Sequence, residues 1–116
     1  MASRKRNQPA ADQDDAVFKA LANADRRKVL DAVHAGPQTT GALCEALPHL
    51  DRCTVMLHLR TLEAAGLIIS KKRGRSRWNY LNVVPIQQVY ERWIKTYAQP
   101  AAAQLARLQR ALEQDP

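Results

Sequence analysis

Residues 52–83 read RCTVMLHLRTLEAAGLIISKKRGRSRWNYLNV, and this stretch decides the architecture. Its first half has helical periodicity. With Val55 at the origin of a wheel and about 100° allowed per residue, Leu59 and Leu62 fall beside it and face a core. Cys53, Leu57 and Arg60 fall on the far side, flanked by Met56 and Thr61. Asp51 suits the start of this helix as its cap, and Gly66 suits its end as the stop. Beyond Gly66 the period changes. LIIS is a compact β-branched run, RWNYLNV alternates, and KKRGRS lies between them with Gly74 at its centre. This predicts a two-stranded hairpin with a basic tip.

Upstream, the sequence supplies three further helices. Asp12, Asp14 and Asp15 put acid at a helix start, where the dipole favours it, and Val17, Phe18 and Leu21 share a face. Asn23 suits the N-cap of a second helix, with Val29, Leu30 and Val33 as its apolar stripe and Gly36-Pro37 as its end. Arg26, Arg27 and Lys28 stand at the start of that helix, where the dipole disfavours cations. At least one of them is therefore expected to point at an acidic group. Thr39 or Thr40 can cap a short third helix, GALCEAL, which ends at Pro48. Short helices joined by a tight turn and followed by a basic hairpin form the layout of a winged helix-turn-helix.

Downstream, Pro85 restarts a helix in which Ile86, Val89, Tyr90, Trp93, Ile94 and Tyr97 recur at helical spacing. Gln99-Pro100 is expected to kink or break it. Ala101, Leu105, Leu108 and Leu112 then continue at heptad-like spacing. The expected fold class is mainly α with a small β-hairpin. Residues 1–11 read as a disordered basic arm, 12–98 as the winged helix-turn-helix domain, and 99–116 as a helical extension that dimerises.

The chain has 116 residues, room for one domain. Lys and Arg number 18 against 11 Asp and Glu, a net charge of +7, and such a surface seeks a polyanion. Nucleic acid is the first candidate and an anionic membrane the second. No apolar run approaches the roughly 20 residues of a membrane span, and the N-terminus lacks a secretory signal, so a cytoplasmic location is expected. Aromatic residues at 5% and only four glycines argue against an all-β sandwich. Two cysteines, Cys44 and Cys53, make no disulfide framework. There is no Gly-rich phosphate loop, nucleophile motif or pair of catalytic carboxylates, so no enzyme is expected. There is also no CxC, CxxC or His pair at i, i+4, so neither metal nor cofactor is expected.

An outward helix face that carries Met and Leu either docks on protein or enters the DNA major groove. In the groove, apolar side chains read the thymine methyl and Arg reads guanine or phosphate. Placement after a tight turn favours the groove. Lys71, Lys72, Arg73, Arg75 and Arg77 put five cations within seven residues, suited to phosphates or to the minor groove. The residues expected to meet double-stranded DNA are Arg52, Thr54, Met56, Leu57, His58, Arg60, Lys72, Arg73, Arg75 and Arg77. His58 lies towards the core side of the wheel, so its expected part is structural or a reach to a phosphate. One competing reading is a winged-helix protein-interaction module with Met56 and Leu57 as anchors, but clustered cations suit phosphate better than an apolar dock. RNA binding lacks a strand platform of aromatics, since Trp78 and Tyr80 are expected to pack under the wing.

VFKALANADRRKVLDAV (17–33), MLHLRTLEAAGLI (56–68) and GRSRWNYLNVVP (74–85) resemble the ArsR family of winged-helix transcriptional regulators. The resemblance covers roughly residues 16–97, and HLRTLEAAGLI is its most specific part. RWNYLNVVPIQQVYERW resembles one branch of that family in particular. The resemblance implies a homodimer formed through the first and last helices, palindromic operators, and repression as the usual outcome. Phe18, Leu21, Trp93, Tyr97, Leu105, Leu108 and Leu112 are the residues expected at that interface. A two-fold dimer would set its reading helices about 34 Å apart, one turn of DNA. Many members hold metal through paired cysteines in the third helix. This chain offers Thr39 and Gly41 at those places, with Cys44 further along, so it resembles a branch without the metal site. Cys53 stands near a helix N-terminus, which can lower a thiol pKa, and gives the alternative of a Cys-based redox-responsive repressor. Many members carry small polar residues where this chain has Met56 and Leu57. The resemblance therefore lends neither an operator sequence nor an inducer.

Overall fold

In the computed structural model, which describes residues 10–114, one unit runs to Ile86 and a second begins at Gln87. The first unit is built from α1 (Ala10–Leu21), α2 (Ala24–Ala35), β1 (Gln38–Thr39), α3 (Thr40–Ala46), α4 (Arg52–Ala64), β2 (Ile68–Arg73) and β3 (Ser76–Leu81). A short α5 (Val84–Val89) crosses the division. The second unit continues as a π-helical turn, Tyr90–Ile94, and then α6 (Lys95–Gln114).

The helix starts are fixed by the caps expected from the sequence. Asn23 Oδ1 accepts from the Arg26 backbone N–H at 3.0 Å, Thr39 Oγ1 from Ala42 at 3.1 Å, and Asp51 Oδ1 from Thr54 at 2.7 Å. Each satisfies a donor that the first helical turn leaves without an intrahelical partner. The end of α4 is closed by Gly66, whose φ of 78° only glycine adopts cheaply. Its N–H donates to the Glu63 carbonyl and the Leu67 N–H to the Leu62 carbonyl, both at 2.9 Å. This paired closure sends the chain straight into β2. Asn82 then ties the two ends of the hairpin together. Its backbone N–H donates to the Leu67 carbonyl and its side chain to the Gly66 carbonyl, each at 2.9 Å.

Helical spacing implied most of the core of the first unit, except that on α1 it is Ala20 that is buried beside Val17 while Phe18 is exposed and Leu21 half-buried. Val17 and Ala20 of α1, Val29, Leu30 and Val33 of α2, Leu43 of α3, and Val55, Leu59 and Leu62 of α4 are buried, together with Leu47, Leu67 and Ile68. Both α1 and α2 pack on α4, and β3 packs on α2 and α3. Helix α4 therefore has one face in the core and the other at the surface.

Four features differ from expectation. The sheet has three strands in the order β1-β3-β2, because Gln38 and Thr39 pair antiparallel with Asn79 and Trp78. A two-residue strand has no alternation to read. Within β3 the fully buried position is Asn79, while Trp78 and Tyr80 are half-buried on the other face. The Asn79 amide donates to the Gln38 carbonyl at 3.1 Å and to Thr40 Oγ1 at 3.2 Å, so a polar side chain stands where the aromatics were expected. The expectation that at least one cation at the start of α2 meets an acidic group holds for Lys28, while the two arginines go to carbonyls. Lys28 stands 4.0 Å from Asp25, but Arg26 donates to the Ala20 and Lys19 carbonyls at 2.8 and 2.9 Å, and Arg27 to Leu21 at 2.6 Å. The link between α1 and α2 is so short that the start of one helix lies beside the unpaired carbonyls and negative dipole end of the other. Helix α6 runs unbroken through 99–100, because a proline removes one backbone bond and a long helix survives that loss. The irregular turn is instead Tyr90–Ile94, one residue wider than an α-turn. Finally, α1 begins at Ala10, ahead of the aspartates. The arm expected over residues 1–11 otherwise lies outside the described residues.

Among the described residues no helix is long and apolar enough to cross a membrane. None of the described His, Cys, Asp and Glu residues gather into a group able to hold a metal ion. Cys44 is half-buried and Cys53 exposed, and both are free thiols.

Candidate nucleic-acid interface

The outward stripe of α4 follows directly from its inward one. With Val55, Leu59 and Leu62 in the core, Leu57 is left 58% exposed, and Cys53, Arg60 and Thr61 are exposed with it. Thr61 spends its hydroxyl on the Leu57 carbonyl of its own helix, at 3.1 Å. Thr54 is half-buried and its backbone N–H donates to Asp51 Oδ1, so it serves the cap. Hydrogen bonding, that of the Thr54 backbone N–H foremost, stabilises the charged carboxylate and holds Asp51 below the ordinary aspartate value of 3.8. His58 is half-buried, and its Nδ1 lies 3.3 Å from Arg26 Nη1. A guanidinium has no lone pair to offer, so Nδ1 is the acceptor. His58 thus has a partner within the protein. It braces α4 against α2 and stands apart from the outward stripe.

A second brace fixes the entry to α4. His49, in the turn between α3 and α4, places Nε2 at 2.8 Å from Asp25 Oδ1 on α2. The hydrogen bond from His49 is the largest cause that holds the Asp25 carboxyl below its ordinary range. Adjacent residues of α2, Asp25 and Arg26, thus hold α4 and the turn that leads into it through two imidazoles.

The wing carries Lys71, Lys72, Arg73, Arg75 and Arg77, all exposed. Gly74 turns the tip with a φ of 62°. Arg73 lies over the Tyr80 ring, with its guanidinium carbon 6.0 Å from the centroid. Arg77 donates to Ser70 Oγ across the hairpin at 3.0 Å. The wing and α4 meet at a cleft of about 310 Å³, lined by Arg52 and Met56 of α4, by Arg75, Ser76 and Arg77, and by Thr39, Thr40 and Gly41.

The structure therefore brings Arg52 and Met56 together with Arg75 and Arg77, and leaves Leu57 and Arg60 open on the outward face of α4. Lys72 and Arg73 are exposed but do not line the cleft. Sequence reasoning missed Thr39, Thr40, Gly41 and Ser76 as lining residues. The two threonines were legible only as caps, because the pairing of β1 with β3 that brings them to the wing leaves no local pattern. In the second unit Trp93 (54%), Tyr97, Leu105, Leu108 and Leu112 are exposed, and the Trp93 and Tyr97 rings lie 4.9 Å apart. Phe18 of α1 is also exposed and Leu21 half-buried.

Comparison with known proteins agrees with this layout. A helix-turn-helix domain family matches residues 21–70. The chain is 34% identical over 89 residues to YuzN of Bacillus subtilis (strain 168), described as an uncharacterized HTH-type transcriptional regulator, covering 70% of this chain and 95% of that one. It is 31% identical over 71 residues to the transcriptional repressor SdpR of the same organism, covering 61% of this chain and 78% of that one. The crystal structure of an ArsR family transcriptional regulator shares 28% identity at a TM-score of 0.64, covering 91% of this chain and 96% of the other.

Proposed function

The chain belongs to the ArsR family of winged helix-turn-helix transcriptional regulators, and from that footing we propose that two copies bind an inverted-repeat operator in double-stranded DNA and repress transcription. The observation that carries this reading is the meeting of α4 and the wing at one cleft. Arg52 and Met56 share it with Arg75 and Arg77, so the reading helix and the basic hairpin face the same side. Leu57 and Arg60 enter the major groove, the first reading thymine methyls and the second guanine or phosphate. Lys72 and Arg73 lie along the neighbouring backbone. The protein acts by occupying DNA, without catalysis, in the cytoplasm.

The exposed Trp93, Tyr97, Leu105, Leu108 and Leu112 are the natural dimer surface, with Phe18 and Leu21 on α1. A row of leucines left in water along one helix is covered by a second copy of the same row at the least cost. In this reading residues 99–116 are the dimerising extension of a domain spanning 12–98, and residues 1–11 are a basic arm.

Selection of bound fragments from a random duplex pool tests the proposal. The expected product is an inverted repeat whose half-site centres lie about 34 Å apart. A pool that stays random after repeated rounds at moderate salt would overturn it.

A further inference from the structure

We propose that Arg26 is a positioning residue that locks α4 to the end of α1 and so sets how strictly a dimer reads the spacing between two half-sites, an inference that rests on the DNA-binding reading above. The half-buried Arg26 joins three helices. From α2 it donates through Nε to the Ala20 carbonyl at 2.8 Å and through Nη2 to the Lys19 carbonyl at 2.9 Å, both in the last turn of α1. Through Nη1 it donates to His58 Nδ1 of α4 at 3.3 Å. Among the described residues no salt bridge engages Arg26, so its charge is met by the carbonyl end of α1. The fork is planar and its N–H groups point in fixed directions, so a guanidinium seated on the α1 carbonyls also dictates where His58 stands. A lysine ammonium carries the same charge without that geometry.

The two ends of this link do different work. Lys19 and Ala20 lie between Phe18 and Leu21, the α1 residues of the proposed dimer surface, while His58 follows Leu57 on α4. Burial of Val55, Leu59 and Leu62 holds α4 to the core, but burial has no direction, whereas a hydrogen bond weakens as its angle opens. The bond from Arg26 therefore adds an orientation that the apolar contacts do not impose. Asp25 adds a second hold at the entry to α4, through His49. In a two-fold dimer an error in that orientation enters twice, once in each copy. It decides whether both helices meet major grooves about 34 Å apart. Which bases Leu57 and Arg60 prefer inside one half-site is a property of α4 itself.

The test compares the selected duplex with one whose half-sites are moved apart by two base pairs, using fluorescence anisotropy on the full chain. The wild-type protein is expected to prefer the selected spacing. Arg26→Lys and His58→Leu should each shrink that preference roughly tenfold, the effect of one lost hydrogen bond to a charged group. A base change within one half-site should cost these variants what it costs the wild type. His58→Asn, which keeps an acceptor near the place of Nδ1, should recover most of the preference. Arg27→Gln is the control, because it removes a bond from the next residue to the α1 carbonyl of Leu21 and should leave the preference intact. Thermal melting checks each fold, and if Arg26→Lys does not fold, the contrast between His58→Leu and His58→Asn decides. An unchanged preference in the folded variants overturns the proposal, as does an equal loss in Arg27→Gln or a uniform fall on every duplex. A wild-type chain that selects half-sites without regard to spacing also overturns it and leaves DNA binding standing. A wild-type chain that binds no duplex removes the DNA-binding reading and this proposal with it.

Discussion

The double variant Lys72→Gln/Arg73→Gln removes two wing cations that lie outside the cleft. Both side chains are exposed, and among the described residues neither enters a salt bridge. Their loss therefore leaves no carboxylate stranded, and the fold should be stable to within about 0.5 kcal/mol. If each cation neutralises one phosphate, a dimer loses four such contacts. Each contact contributes roughly 0.9 to the slope of log affinity against log salt, so the slope should flatten by roughly 3.6. Over a fourfold rise from about 50 to about 200 mM salt, the advantage of the wild-type protein should shrink roughly a hundredfold. The effect should be the same on a selected duplex and on a scrambled one, because phosphate carries no sequence. Fluorescence anisotropy with labelled duplexes across that salt range reads both quantities. Parallel lines for wild type and variant would refute the phosphate role of the wing, as would a loss confined to the selected sequence.

Leu57→Asn should leave stability nearly unchanged and the salt slope intact, but a repeated selection should return altered bases under the reading helix. Leu62→Ala, at a fully buried position of α4, should cost about 2–5 kcal/mol in a urea melt. Trp93→Glu should convert dimers to monomers in sedimentation velocity; persistence of the dimer removes Trp93 from the interface. Asp51→Asn tests the cap through pH. A carboxyl whose folded pKa is depressed stabilises the fold above its unfolded value and stops doing so as pH falls through the folded value. Asn still caps the helix, so the gap between the wild-type and variant melting temperatures should hold at neutral pH and close below pH 3.8.

Helix identity, caps and core were legible because they are local. Asn23, Thr39 and Asp51 bond backbone N–H groups three residues on, and Val55, Leu59 and Leu62 recur at the helical period. The outward placement of Leu57 and the basic tip of the hairpin follow from the same periodicity. Both ends of α4 are likewise written in the chain, Asp51 before it and Gly66 after it. The resemblance of HLRTLEAAGLI to one family added the class of function, which periodicity alone does not supply.

Tertiary structure decided what depends on partners distant in sequence. Asn79 is buried because Gln38 and Thr40, some forty residues away, accept from its amide, and no spacing rule predicts that. The pairing of β1 with β3 brings Thr39 and Thr40 beside the wing and so creates one wall of the cleft. His58 braces α4 on Arg26 and His49 bonds Asp25, contacts that exist only once α2 and α4 have docked. A short sequence window fixes which way a side chain points on its own helix or strand. Which polar groups converge is fixed by closure of the chain over long separations, and the placing of Arg52, Arg75 and Arg77 along one cleft belongs to that second kind.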